Sequence, residues 1–194
     1  VTTSLDDFGE IVTTDSTIGG VVSKLTLVAP SGADNDFNGA NVMVTPATTM
    51  ISGMMALDAT LTASAAMSNV ATALGFDPTK FNPLTFDAFA DTAEMDAATK
   101  TAYDAPALEV EKTSQKIMTV VNTFAAAVEG SGASAADAFS TAFGSVTSVL
   151  TAKIAASAVL DFDVAADITA VTTQLSADIS SVANVNKVAF DSMT

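Results

Sequence analysis

The sequence predicts a mainly α protein, an antiparallel helix bundle carrying a small N-terminal β-hairpin. Three observations lead there. Apolar residues recur in steps of three and four along three stretches after residue 106. A Thr-Pro pair at Thr45-Pro46 marks a helix start. The first 45 residues differ in texture, being rich in Gly, Thr and Val with two extended runs. The predicted division is residues 1–45, an extended region suited to linkage or assembly, and residues 46–194, the helical bundle. The whole is read as one compact unit, since 194 residues suffice for one good core.

The hairpin strands are placed at Val21 to Ala29 and Asn41 to Thr45, joined by a loop from Pro30 to Ala40 that is longer than a tight turn requires. Thr45 is the predicted N-cap of the first helix, with Pro46 at the position where a missing N–H costs nothing. Met50, Ile51, Met54 and Met55 share one face of that helix, and the methionines read as core filling. Met67, Val70, Ala71 and Leu74 mark a second helix ending at Gly75. From Phe76 to Phe89 two prolines and four phenylalanines predict an irregular connection pinned by its rings.

A long helix is predicted from near Pro106 to Gly130, its stripe formed by Ile117, Val120, Val121, Phe124 and Val128. Phe139, Ala142, Phe143, Val146, Leu150 and Ile154 carry the next. The last is expected to be capped by Asp163 and to bury Val164, Ile168, Val171, Leu175, Ile179 and Val182. Long amphipathic helices with short connections pack as an antiparallel bundle. Val185 to Thr194 loses the period and is predicted as an extended tail, which a neighbouring copy could accept as an added strand.

Composition narrows function. The chain has no His, Cys or Trp, and its seven basic residues are all Lys. Imidazole, thiolate and guanidinium chemistry are therefore absent, and the expected role is not enzymatic. A net charge of −15 repels phosphate backbones, which argues against nucleic acid. No run of about 18 apolar residues occurs, so no membrane insertion is expected. The start at Val1, without a basic leader, reads as a processed or excised piece. The acidity fits an extracellular or cell-surface setting.

One stretch reads as a cation loop. Asp34-Asn35-Asp36-Phe37-Asn38-Gly39 has oxygen donors at alternating positions and a glycine for the bend, so Asp34, Asp36, Asn38 and the carbonyl of Ala40 are the candidate calcium ligands. Thr45 stands where a bidentate Glu would close such a loop, and the same residues also form an exposed Asx-Gly turn. Asp161 and Asp163 are better explained by helix capping than by metal. Glu109 and Glu111, two apart on one helix, point to different faces and cannot act as a catalytic pair.

Several segments resemble a helical module of very large bacterial surface proteins of the adhesin type. They are "LTLVAPSG" followed by "VMVTPATTMISGMM" between Leu25 and Met55, Gly75-Phe76-Asp77-Pro78, Phe81-Asn82-Pro83, and "ALEVEKTSQKIMTVVN" from Ala107. The resemblance covers roughly residues 25 to 182. It departs at Ala47, where the module has Leu, and at Ala33 to Asn41, which reads as an insertion. It implies a repeated or assembled extracellular scaffold with no catalytic role. The leading expectation is an extracellular structural module or subunit of a bacterial surface assembly, either one of many tandem modules or, through its hairpin edges and tail, a filament subunit, whose partners are further copies or neighbouring modules of the same chain. The second expectation is a calcium-dependent adhesin module binding carbohydrate or protein. A third, a carboxylate-based glycoside hydrolase, is disfavoured because such sites hold sugars on aromatic platforms, and this chain has a single Tyr and no Trp.

Overall fold

The computed structural model describes residues 2–5, 11–15, 20–21, 27–30 and 43–193. Near the N-terminus three short strands, β1 (Thr2–Leu5), β2 (Ile11–Asp15) and β3 (Gly20–Val21), pair antiparallel in sequence order, with Thr2 opposite Thr14 and Asp15 opposite Gly20. Half of the hairpin expected at Val21–Ala29 and Asn41–Thr45, residues 22–26 and 41–42, lies outside the described residues. The rest of the described chain is built on six helices, α1 (Pro46–Leu57), α2 (Ala63–Ala73), α3 (Ala97–Gly130), α4 (Ala135–Ala155), α5 (Ala165–Asp178) and α6 (Lys187–Asp191), with turns and irregular segments between them.

The Thr-Pro start of α1 forms as expected and does more than cap. The Thr48 N–H donates to Thr45 Oγ1 at 3.2 Å, and the Thr45 N–H donates back to Thr48 Oγ1 at 2.8 Å. This is a capping box in which threonine takes the place of Glu or Gln. Thr49 then reaches the upstream chain: its Oγ1 accepts from the Val28 N–H at 3.0 Å, while both threonine hydroxyls lie within donating distance of the Val28 carbonyl. Two side chains thus satisfy an extended backbone as a neighbouring strand would.

Three helices end in the same way. After α2, Phe76 N–H donates to Ala71 O and Gly75 N–H to Thr72 O, with Gly75 at φ +84°. After α3, Ala133 and Gly132 repeat the pattern onto Val128 and Glu129. After α4, Ala158 and Ser157 repeat it onto Lys153 and Ile154, with Ser157 left-handed at φ 51°. These are Schellman closures. Gly132 is the most constrained of the three positions: φ is +118°, and a Cβ there would stand 2.5 Å from the Asn184 carbonyl oxygen. Gly132→Ala is therefore expected to lose at least about 2 kcal/mol, read as a lowered urea midpoint with an unchanged slope.

Two expected helix starts are corrected. Helix α3 begins at Ala97, not near Pro106, because Asp96 Oδ1 accepts from the Ala98 and Thr99 N–H groups, both at 3.0 Å. Pro106 lies inside the helix; the carbonyl it leaves without a donor belongs to Ala102, an exposed residue whose backbone water can reach. Asp163 does not cap α5. The N-cap is Val164, which makes no side-chain capping bond and is 44% exposed. Asp163 instead pairs with Lys116 across the bundle at 2.6 Å.

The bundle is antiparallel where its registers can be read. Ser145 of α4 bonds Asp178 of α5, and Lys153 bonds Asp167, so rising numbers on one helix meet falling numbers on the other. Lys116 with Asp163, and Ser131 O with Asn186 N, show α5 running parallel to α3. Helix α2 ends beside the α4–α5 connection, where Leu160 N–H donates to Ala73 O at 2.8 Å. The core holds Met50, Ile51, Leu84, Ile117, Val121, Leu150 and Leu175, each at most 1% exposed. Each such side chain contributes roughly 1.5–3 kcal/mol on burial.

The connection expected to be irregular is built from repeated turns. Asp77, Asn82, Asp87 and Asp91 each accept at 2.9 Å from the N–H two residues on. Phe76, Phe81 and Phe86 then stack in sequence onto Tyr103 of α3, with centroids 4.7, 5.2 and 5.3 Å apart. The fourth phenylalanine, Phe89, is 76% exposed. The predicted C-terminal tail is also corrected. Asn186 caps α6 by accepting from Ala189 N–H, and Phe190 is fully buried, so this segment is not a strand held out for a neighbour.

Candidate functional site

The proposed cation ligands Asp34, Asp36, Asn38 and Ala40 lie outside the described residues. Among the described residues no group of three or more carboxylates gathers around a common point. The other acidic candidates have structural partners. Asp161 Oδ1 accepts from the Asp163 N–H at 2.9 Å, Glu109 pairs with Lys112, and Glu111 accepts from Gln115.

Asp167, which the sequence reading did not single out, is the buried carboxylate of the structure. Its Oδ2 accepts from the Asp161 N–H at 2.9 Å and its Oδ1 from Lys153 Nζ. Burial pushes its pKa up, but the hydrogen bonds from Lys153 and the Asp161 N–H, with the Lys153 charge, outweigh burial and hold it below the usual carboxylate range. Every described lysine pairs with a carboxylate in this way: Lys80, Lys100, Lys112, Lys116, Lys153 and Lys187. Among the described residues no helix is long and apolar enough to cross a membrane.

Two clefts run along α4. A cleft of about 660 Å³ lies between α1 and the end of α5, with Phe139 and Phe143 at its base and Val28 and Leu57 on its rim. A second, of about 580 Å³, continues between α4 and α5 over Ala152, Ala166, Ala170 and Ala177, and Ser148 belongs to both. The rim is apolar and exposed, Val28 at 43% and Leu57 at 68%. Gly144 sits in its floor with nothing within 4 Å of where a Cβ would stand. Among the described residues the only acidic one lining the two clefts is Asp178, held by Ser145 at 2.6 Å and Gln174 at 2.8 Å, and the only basic one is Lys153, already paired. Such a surface can bury apolar area against another macromolecule. No protein-family model, curated protein or solved structure matches this chain.

Proposed function

We propose that the chain is a non-catalytic structural module of an extracellular bacterial surface assembly, joined end to end to further copies or modules. The observation that carries this reading is the polarity of the bundle. Leu27–Pro30 and Met43–Thr45 meet it at the start of α1, where Met43 N–H donates to Leu84 O at 2.8 Å. Helix α2 follows α1 after five residues and ends beside Leu160, placing that start at the α4 C-terminal end. The C-terminal segment is fixed at the opposite end, where Asn186 N–H donates to Ser131 O in the α3–α4 turn at 2.8 Å.

Entry and exit are thus separated by the length of α4, 21 residues or about 32 Å. A module so built transmits its axis from one copy to the next, and a head-to-tail contact that does not close on itself grows a fibre. The extended region expected over residues 1–45 belongs to the same reading, since a hairpin there would offer edges that accept or donate a strand. The acidic surface and the resemblance to surface-protein modules support the extracellular setting. Electron microscopy of the purified chain, with and without calcium, is expected to show linear assemblies. A monodisperse monomer at high concentration under both conditions would overturn the reading.

A further inference from the structure

We propose that α6 exchanges between two copies of this chain, the α6 of each seating in the groove that its partner's own α6 vacates. The exchange joins exit end to exit end about a two-fold axis. It goes beyond head-to-tail linkage and does not depend on it.

The groove identifies its ligand. Formed by α3, α5 and the α3–α4 turn, it takes up Phe190, which is fully buried and part of the main core. Ser131 O accepts from Asn186 N–H at 2.8 Å, and the Ser176 hydroxyl donates to Asp191 at 2.8 Å. A second copy carries the same segment from Asn186 to Asp191, so exchange re-forms each of these contacts between chains. The balance between the closed and the exchanged form therefore rests on the hinge.

That hinge is short and constrained. Val182 (φ −84°, ψ 129°) and Asn186 (φ −89°, ψ 95°) are already extended. Between them the chain folds back through a turn at Ala183 and Asn184, with Asn184 left-handed at φ 64°. The turn also brings the Asn184 carbonyl oxygen to 2.5 Å from where a Cβ on Gly132 would stand. Holding a non-glycine residue left-handed has a cost, and extending the two turn residues removes it. Val182 to Asn186 then becomes continuous extended chain, roughly 16 Å long. Short hinges under strain favour exchange, and in a two-fold dimer the two extended hinges lie antiparallel, where their valines can pair. From Ile179 to Asn186 the sequence carries no charge, so two copies each at −15 meet there without opposed carboxylates.

Cross-linking on the full chain tests this. The protein has no Cys, so Ser176→Cys with Asp191→Cys places one thiol on each side of the groove. A short bismaleimide then ties α5 to α6 of one chain in the closed form, but ties two chains after exchange, giving a dimer on a denaturing gel. The protein is unfolded and refolded at high concentration, because α6 must leave its groove to exchange, and in high salt to screen the net charge. Its dimer fraction is expected to link between chains. Asn184→Pro, which cannot hold a positive φ, should raise the dimer share by about tenfold. Asn184→Gly, which adopts that φ freely, should lower it, and Phe190→Ala should abolish it.

An absence of dimer in every variant, a dimer that links only within chains, or a Phe190→Ala dimer at the wild-type level overturns the proposal. So does an Asn184→Pro variant that folds, by circular dichroism, and stays monomeric. If Asn184→Pro does not fold, the comparison of wild type with Asn184→Gly decides, and equal dimer shares overturn it. Fibres without exchanged dimers support head-to-tail linkage and count against exchange.

Discussion

Phe190→Ala is expected to lower stability by about 3 kcal/mol, the lower end of the range for emptying a buried phenylalanine site, because a five-residue helix can partly relax into the space. For a chain of this length that corresponds to a melting temperature lower by about 6–12 °C. Phe190 is fully buried and is the main apolar anchor of α6, which is also held by the Asn186–Ser131 backbone bond and by the exposed contacts of Ser176 with Lys187 and Asp191. Exposed contacts of that kind contribute little. The variant should therefore also expose the C-terminal segment, read as faster hydrogen exchange at Asn186 and Phe190 than at the core of α4. An unchanged melting temperature would show that α6 merely lies on the surface, and would remove the anchor on which the placement of the chain's exit depends.

That anchor was hidden in the sequence for a physical reason. One turn and a half of helix offers a single apolar anchor, too few to display a period. Its cap, Asn186, is also two residues from a left-handed Asn184 at φ 64°, which breaks the pattern before it. The long helices were legible because their stripes repeat over many turns, and Phe139 to Leu150 and Val171 to Ile179 are buried where the spacing placed them. The error at Pro106 came from treating a proline as a boundary. Its cost is small where the orphaned carbonyl is exposed, and the stronger signal was Asp96 three residues before Thr99.

The Phe76–Phe89 segment shows the opposite case, a pattern present but unread. Phe76-Asp77-Pro78, Phe81-Asn82-Pro83 and Phe86-Asp87-Ala88 repeat every five residues. Each Asx side chain closes a turn and returns the next ring to the same stack. A five-residue period belongs to neither helix nor strand, so a search for those two periods passes over it. The α4 face was not legible at all. It depends on which sides of α1 and α5 flank α4, a tertiary fact, and its components are small residues that a sequence reading assigns to helix packing.

Asp167→Asn is expected to cost about 3 kcal/mol at neutral pH, at the lower end for breaking a buried pair because Lys153 remains a quarter exposed. The loss arises from leaving the Lys153 amine without its counter-charge while Asn offers a single acceptor to replace two carboxylate oxygens. The pH dependence follows from the direction of the Asp167 shift. Its folded-state pKa lies below the unfolded one, so the stabilisation is fully present above the unfolded pKa and disappears as pH falls through the folded value. Denaturation of wild type and Asp167→Asn in parallel should therefore show a gap that is constant near neutrality and closes in acid. The difference between the two proteins cancels the general relief of self-repulsion that acid brings to so negative a chain. Replacing both partners, Lys153→Met with Asp167→Leu, should recover much of the lost stability, since a buried pair exchanged for apolar side chains is often neutral. A gap that persists unchanged at the lowest pH would show that Asp167 acts through shape and not through its charge.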